Sequence, residues 1–249
     1  MSIINDHLVL VSGKPASGKS ASLLPLAQLT KSQQQGVIYL NCESGKRLPF
    51  RNNFRELTIT DPYTIYQAFE QAESMPDIHT IVVDTLTFLM DIYESTVVLT
   101  SADTMKGWSN YAQYFKNLMA QYVAKSTKNV IFLAHTSNVL NEAEMITETC
   151  VQIKGSIMKK GIESYFSNVV ASKKIIISKL TDDLAKNSML TITEEEQMLG
   201  FKHIFQTRLT KDTVNERIRS PIGLWAPNET YIDNNILYVI KRLTDFYCA

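Results

Sequence analysis

A glycine-rich stretch near the amino terminus has residue types and a spacing that suit phosphate chemistry. The apolar run LVLV at 8–11 precedes it and ASLL at 21–24 follows it, so it lies between a predicted strand and a predicted helix. The pattern GxxxxGK[ST] in that context predicts a loop that binds a nucleoside triphosphate. The expected nucleotide-binding residues are Gly13, Lys14, Pro15, Ala16, Ser17, Gly18, Lys19, Ser20 and Ala21.

Within this loop the residue types have different expected roles. Gly13 and Gly18 let the backbone curl so that successive N–H groups face a phosphate chain. The following helix directs its positive amino-terminal end toward the same phosphates. Lys19 is expected to bridge the β- and γ-phosphate oxygens, and Ser20 to hold Mg²⁺ through its hydroxyl. ATP and Mg²⁺ are therefore the predicted ligands.

Polar residues also end three other apolar runs. Asp84 ends TIVVD, and an acid at this place in a P-loop protein is expected to bind Mg²⁺ through water. Glu43 follows VIYLNC and is expected to polarise the water that attacks the γ-phosphate. His135 follows NVIFLA and is expected to sense the γ-phosphate, with Thr136 as the fallback.

The order of these runs indicates the fold class. Apolar strands alternate with segments of helical period, which is typical of an α/β protein with a mainly parallel sheet and helices on both faces. We expect one domain over 1–249, with a core at about 7–177 and an insertion and C-terminal β-hairpin/helix extension at about 178–249. The expected helices are at 19–31, 62–74, 108–125 and 233–246. Irregular segments are expected at 91–106 and 138–153. A polar insertion is expected at 180–200 and a hairpin at 209–220.

Composition excludes several other classes. Lys and Arg number 25, as do Asp and Glu, so a strongly basic nucleic-acid coat is excluded and any DNA contact must come from a local basic patch. Three cysteines without a CxxC motif indicate neither a disulfide framework nor a zinc site. No signal peptide is recognisable, and no apolar run approaches the roughly 20 residues of a membrane span. We therefore expect a cytoplasmic protein that makes no membrane contact.

Together the four motifs resemble a known family. The phosphate loop, LNCE at 40–43, VVDT at 82–85 and VIFLAH at 130–135 look like the core of RecA-like recombinase ATPases. The chain length, the expected lack of an extra amino-terminal domain and Trp108 in the helix after Asp84 are most similar to short phage proteins of the Sak type. That resemblance implies a single-strand annealing protein of phage recombination, active in the cytoplasm of a bacterial host.

The same resemblance implies a DNA-facing segment. In that family the loop after the γ-phosphate sensor binds single-stranded DNA, which here corresponds to about 137–161. Lys154, Lys159 and Lys160 are its expected cations, with Gly155 and Gly161 as hinges. Lysines bind phosphates without reading bases, so the expected binding is largely independent of sequence. A single-strand-binding protein is a further possible partner.

The family also implies assembly. Its members insert basic residues from one subunit into the nucleotide site of the next, and the segment 207–221 resembles the hairpin that carries them. Arg217 and Arg219 are the candidates for stabilising charge on the γ-phosphate in the transition state. A homo-oligomer, either a ring or a filament, is therefore expected.

Other P-loop functions stay open at the level of the sequence. A nucleotide or small-molecule kinase would usually show an arginine-rich lid, whereas the arginines here are scattered. A helicase motor or loader shares the RecA-like motifs but more often carries a separate domain. A fourth function is a nucleotide-gated regulator that hydrolyses ATP slowly and binds a protein partner. Only binding assays with partners would distinguish it from a DNA-stimulated ATPase.

Overall fold

A mostly parallel β-sheet forms the centre of the molecule. The computed structural model describes residues 4–142, 144–180 and 187–248, and only the backbone of Lys159. The strands in these ranges are β1 (Leu8–Gly13), β2 (Val37–Asn41), β3 (Arg55–Thr58), β4 (Thr80–Asp84), β5 (Asn129–Asn141), β6 (Ile146–Val151), β7 (Asn168–Ile176), β8 (Phe201–Gln206) and β9 (Tyr231–Asp233).

Strand order places β1 in the interior of the sheet. The order is β3-β2-β4-β5-β1-β7-β8-β9, and all pairs from β3 to β7 are parallel. At the other end β8 pairs antiparallel with β7 and β9 antiparallel with β8, while β6 folds back antiparallel onto the far part of β5. The predicted α/β P-loop fold with a mainly parallel sheet is therefore confirmed, and the strands that follow β7 extend it in antiparallel fashion.

Helices cover both faces of the sheet. They are α1 (Leu24–Ala27), α2 (Lys31–Gln35), α3 (Thr64–Ser74), α4 (Leu86–Tyr93), α5 (Thr104–Asn117), α6 (Ser156–Lys160), α7 (Glu194–Leu199) and α8 (Ile236–Tyr247). Along β1, Leu8 and Leu10 face the layer that contains α3, α4 and α5, whereas Val9 and Val11 face the layer that contains α8. A strand buried on both faces has no polar side, which explains its uninterrupted apolar sequence.

The helix after the phosphate loop is shorter than predicted. A 3₁₀ turn at Ser20–Leu23 leads into α1, and α2 begins separately with Thr30 and Gln33 forming a capping box. Pro25 is in the first turn of α1, where its missing N–H costs no helical hydrogen bond. The prediction of one helix over 19–31 was wrong because the proline and the cap divide the segment.

The segment at 91–106 was predicted to be irregular, but much of it is helical. α4 continues through a π-helical turn at Glu94–Val98, and α5 starts at Thr104 with Asp103 as its N-cap. Tyr93 and Val98 are fully buried in the core, so packing holds a polar stretch in a helical conformation.

Two segments predicted in the second half have different structures. The mobile loop expected at 138–153 is mostly the β5–β6 hairpin, whose Thr, Val and Ile side chains favour strands. The hairpin expected at 209–220 is not found among the described residues; Glu216 and Arg219 instead make isolated bridges to Thr149 and Val169. Pairing with β6 and β7 therefore replaces pairing of this segment with itself.

The expected polar insertion at 180–200 is described only in part. α7 occupies 194–199, and residues 181–186 lie outside the described part of the chain. The assignment of 1–249 to a single domain stays a prediction. Within the described ranges, no helix has both the length and the apolar character that crossing a membrane requires.

Candidate active site

The residues predicted to bind the nucleotide, to bind the metal or to take part in catalysis lie close together where neighbouring parallel strands end. Gly13, at the end of β1, is opposite His135 on β5, and Asp84, at the end of β4, is opposite Asn41 on β2. Glu43 follows β2 by two residues. The sheet thus brings together four segments that are far apart in sequence, as expected for the carboxyl edge of an α/β sheet.

Lys19 is at the centre of this edge and is almost completely buried. Its Nζ donates to the carbonyl oxygens of Gly13 and Lys14, each at 3.0 Å, and lies 3.1 Å from His135 Nδ1. Burial lowers the pKa of Lys19 to about 8, although the charges of Asp84 and Glu43 oppose the change. The ammonium therefore loses its proton much more easily than an exposed lysine does.

His135 joins Lys19 to Glu43. Its Nε2 lies 3.1 Å from Glu43 Oε1. A carboxylate accepts hydrogen bonds and an ammonium donates them, so the imidazole fits as the neutral form with its proton on Nε2. Burial, followed by the charge of Lys19, lowers the pKa of His135 and favours that form. The backbone N–H of His135 also donates to Thr87 Oγ1 at 2.9 Å, which fixes the end of the buried part of β5.

Glu43 is held as an ionised carboxylate. It forms an ion pair with Lys46 in addition to its bond with His135. Burial alone would raise the pKa of Glu43, but the hydrogen bonds from Lys46 and His135 together lower it. The backbone N–H of Glu43 donates to Asn41 Oδ1 at 3.0 Å, so the strand end sets the position of the side chain.

Asp84 and Ser20 form a pair that suits Mg²⁺. Ser20 Oγ donates to Asp84 Oδ2 at 2.9 Å, and the Tyr39 hydroxyl donates to the same oxygen at 2.8 Å. Asp84 Oδ1 is buried and has no hydrogen-bond partner among the described residues. Burial raises the pKa of Asp84. A buried carboxylate oxygen without a partner, next to a serine hydroxyl, is the hard oxygen donor set that Mg²⁺ prefers.

The phosphate loop has the backbone conformation that its glycines permit. Gly18 has a φ of +101°, and a Cβ on Gly13 would lie 2.6 Å from the Ser172 carbonyl oxygen. Ser172, His203 and Asn234 donate hydrogen bonds to carbonyls of this loop. Sequence reasoning missed these donors, together with Tyr39 and Thr87, because each is an isolated polar residue outside any motif.

The two candidate arginines, Arg217 and Arg219, lie on the side of the phosphate loop away from Glu43 and His135. A cleft of about 500 Å³ is lined by residues 12–17, by part of β7 and by the β5–β6 hairpin, and Arg217 lines it as well. Arg217 bonds Glu148 at 2.8 Å and the buried Glu163 at 3.2 Å. Arg219 is exposed, and its backbone pairs with Val169. Arg217 is thus engaged within its own chain, whereas the side chain of Arg219 is accessible.

The predicted DNA-facing cations lie just before α6 and at its carboxyl end. Lys154 forms an ion pair with Glu94 at 2.7 Å, and Lys160 is exposed at the end of α6. The side chain of Lys159 lies outside the described part of the structure. Lys154 also lines a cleft of about 490 Å³ that contains Glu43 and His135. The structure therefore brings Lys154, but not Arg217, to the same cleft as the carboxylate expected to activate water.

The comparison with protein families agrees with a P-loop protein. A family model described as an AAA domain matches residues 6–198. No curated protein shows significant similarity to the chain. Among solved structures, a KaiC-like protein from the hyperthermophilic archaeon Pyrococcus horikoshii OT3 matches with a TM-score of 0.46 and 9% identity, covering 84% of this chain and 82% of that one.

Proposed function

Because the chain belongs to the AAA-domain family and is a P-loop ATPase, we propose that it hydrolyses ATP with Glu43 as the general base. The observation that carries the proposal is the buried chain of contacts from Lys19 through His135 to Glu43. It places a cation, a neutral imidazole and a carboxylate along one edge of the phosphate loop. Such an arrangement can bind a terminal phosphate and activate a water beside it.

Each of these residues has a different role in the proposed reaction. Glu43 accepts a proton from water as the water oxygen bonds to the γ-phosphorus, and the bond from that phosphorus to the β–γ bridging oxygen breaks. ADP leaves with the bond electrons, and inorganic phosphate is the other product. Lys19 balances the negative charge of the phosphates, together with the N–H groups of the loop.

Ser20 and Asp84 would hold Mg²⁺. The Ser20 hydroxyl, and the unpartnered Asp84 Oδ1 acting through water, would supply the oxygen atoms that hold it. The metal supplies positive charge that stabilises the phosphate oxygens during transfer. Tyr39 keeps the other carboxylate oxygen of Asp84 in place.

His135 would report the state of the nucleotide. A lysine that binds a γ-phosphate no longer donates to His135 Nδ1, so the imidazole loses one of its two side-chain partners. The β5–β6 hairpin begins directly after His135. Loss of the γ-phosphate can thus change the hairpin through a single residue, which resembles other switches that sense phosphate.

We propose single-stranded DNA as the partner that this hairpin and α6 bind, in strand annealing of the phage type. Support comes from the position of Lys154 and Lys160 just after the hairpin, with Lys160 on the short helix α6 that Gly155 and Gly161 bound. Both glycines have positive φ, which allows sharp turns there. A helicase motor would use the same hydrolysis chemistry, and duplex unwinding would distinguish it from annealing.

We also propose that the active form is a homo-oligomer. Arg219 is exposed, so it is free to reach a neighbouring subunit in a way that the internally paired Arg217 is not. In a ring or filament it would add positive charge to the γ-phosphate of the next subunit.

One observation favours a second candidate, a nucleotide-gated switch for a protein partner. The end of the β5–β6 hairpin carries Glu142 and Glu144 next to the exposed Leu140 and Met145. Negative charge repels a phosphate backbone, whereas exposed apolar side chains suit a protein surface. In that case His135 would control protein binding rather than DNA binding.

ATP hydrolysis measured with and without a single-stranded oligonucleotide, at low and at moderate salt, tests the proposal. We expect stimulation that weakens as salt rises, because lysine–phosphate contacts release counterions. Lys160→Gln should reduce the stimulation without changing the basal rate, and Lys116→Gln, on α5, is the matched control. Slow hydrolysis without stimulation or oligonucleotide binding would favour the protein-directed switch, and absence of hydrolysis would refute the ATPase mechanism.

A further inference from the structure

Two carbonyl groups of the phosphate loop are held by side chains from later in the chain. The Ser17 carbonyl oxygen accepts from His203 Nδ1 at 2.8 Å and from Ser172 Oγ at 3.0 Å. The Gly18 carbonyl oxygen accepts from Asn234 Nδ2 at 2.8 Å. Ser172 is on β7, His203 on β8, and Asn234 directly follows β9. The antiparallel end of the sheet therefore touches the loop just before the 3₁₀ turn at Ser20–Leu23.

These contacts fix the direction of the N–H groups that face a phosphate. In a trans peptide unit the C=O and the following N–H point in opposite directions. Holding the Ser17 carbonyl therefore sets the direction of the Gly18 N–H, and holding the Gly18 carbonyl sets that of the Lys19 N–H. Both N–H groups belong to the loop that the motif assigns to the phosphate chain.

The fit between these side chains and the loop is close. A Cβ on Gly18 would lie 2.9 Å from His203 Nδ1 and 2.9 Å from Asn234 Nδ2. The second glycine of the motif is thus required both by its positive φ and by the two side chains packed on it. Ser172 and Asn234 also contact each other, with Ser172 Oγ 3.4 Å from Asn234 Oδ1. The donors form one group rather than separate surface contacts.

We infer that His203 and Asn234 are positioning residues for ATP, and that the C-terminal extension is part of the nucleotide site. Both residues lie beyond 198, where the match to the family model ends. A loop whose N–H groups are already directed inward loses less entropy when a phosphate binds, and its affinity is higher for that reason. This inference rests on the proposed binding of ATP at the phosphate loop.

The test compares variants that remove or restore one donor. His203→Phe keeps a planar ring but removes the N–H, whereas His203→Asn places an amide N–H near the position of Nδ1. Asn234→Ala removes the side-chain donor to the Gly18 carbonyl, which then keeps, among the described residues, only its bond from the Ser22 N–H. Each lost hydrogen bond should weaken binding of a non-hydrolysable ATP analogue by about 2- to 10-fold. His7→Phe, at the amino end of β1, is the matched control, since its ring contacts Thr244 rather than the loop.

The same variants distinguish a positioning role of His203 and Asn234 from a purely structural one. We expect His203→Phe and Asn234→Ala to raise the Kd of the analogue and the KM for ATP together, with kcat and the unfolding temperature of the nucleotide-free protein nearly unchanged. His203→Asn should restore most of the affinity. Wild-type Kd in both loss variants, or an increase in Kd that His203→Asn fails to reverse, would overturn the inference. Failure of the wild-type protein to bind the analogue would instead refute the proposed function.

Discussion

Two charged networks lie on opposite sides of the phosphate loop, and they are built in different ways. The network proposed to be catalytic, called the catalytic network below, consists of Lys19, His135 and Glu43, which are near the ends of neighbouring parallel strands. The arginine network consists of Arg217, Glu148 and Glu163. Glu148 is on the β5–β6 hairpin, Glu163 is on a 3₁₀ turn at Ile162–Tyr165, and Arg217 is on an irregular connection. In the catalytic network the sheet positions the charges. In the arginine network the charges help to position the surrounding segments.

Exposure also separates the two networks. The side chains of His135 and Glu43 are 15% and 8% exposed, whereas that of Arg217 is 31% exposed. Low exposure strengthens the electrostatic interactions between the catalytic groups and changes their pKa values. In the arginine network Arg217 and Glu148 are closer to solvent, whereas Glu163 is buried, so the Arg217–Glu148 pair should be the part that is more sensitive to salt.

A large effect is expected if Arg219 is the proposed arginine finger. Arg219→Ala should lower kcat by about 10³-fold while leaving the Kd for ATP unchanged, as for other arginines supplied in trans. Arg217→Ala should mainly lower the unfolding temperature, because it leaves Glu163 buried without its cation. Steady-state kinetics and thermal unfolding of both variants check this. A large loss of turnover in Arg217→Ala at normal stability would reverse the assignment, and unchanged turnover in both variants would exclude an arginine finger.

Asp84→Asn should lower turnover by about 10³-fold, because the metal supplies several kcal/mol of charge stabilisation. The same substitution should raise the unfolding temperature of the Mg²⁺-free protein at pH 7. Burial raises the folded-state pKa of Asp84, so its charge destabilises the folded protein at neutral pH, and this destabilisation disappears as the pH falls. Turnover with saturating Mg²⁺ and calorimetry in a chelator measure the two effects. A turnover loss below tenfold would place the metal elsewhere.

ATP affinity should fall about tenfold between pH 7 and pH 9. Lys19 in the free protein has a pKa of about 8, and bound phosphates favour its protonated form, so binding requires proton uptake above that pH. Lys19→Arg keeps its charge over this range and should show a flat profile, even if its affinity is lower. Equilibrium binding of a non-hydrolysable analogue at several pH values checks this, and a flat wild-type profile would contradict it.

The smallest effect concerns the ion pair between Lys46 and Glu43. Lys46→Met should raise the pKa of Glu43 and free one carboxylate oxygen, so kcat should rise several-fold. Lys106→Met, on α5, is the control. A lower kcat in Lys46→Met would mean that Lys46 assists the reaction instead of restraining the base.

The sequence predicted the strands that carry the catalytic network because buried parallel strands appear as uninterrupted apolar runs, each followed by a polar residue. Asp84 and His135 illustrate this rule. It fails for His203, on a strand of the antiparallel part of the sheet where polar and apolar residues are mixed, and for Asn234, which directly follows β9. The hairpin after His135 was missed because its strand-favouring Thr, Val and Ile residues are mixed with Ser, Asn and Glu, which are common in loops.

The most direct test of the account measures ATP binding and turnover for Glu43→Gln side by side. The amide keeps the size of the side chain but cannot accept a proton from water. We predict an unchanged Kd for ATP and a loss of turnover of about 10²- to 10⁴-fold. Turnover close to that of the wild type would show that another group activates the water, and the catalytic network would then be a structural feature of the strand ends.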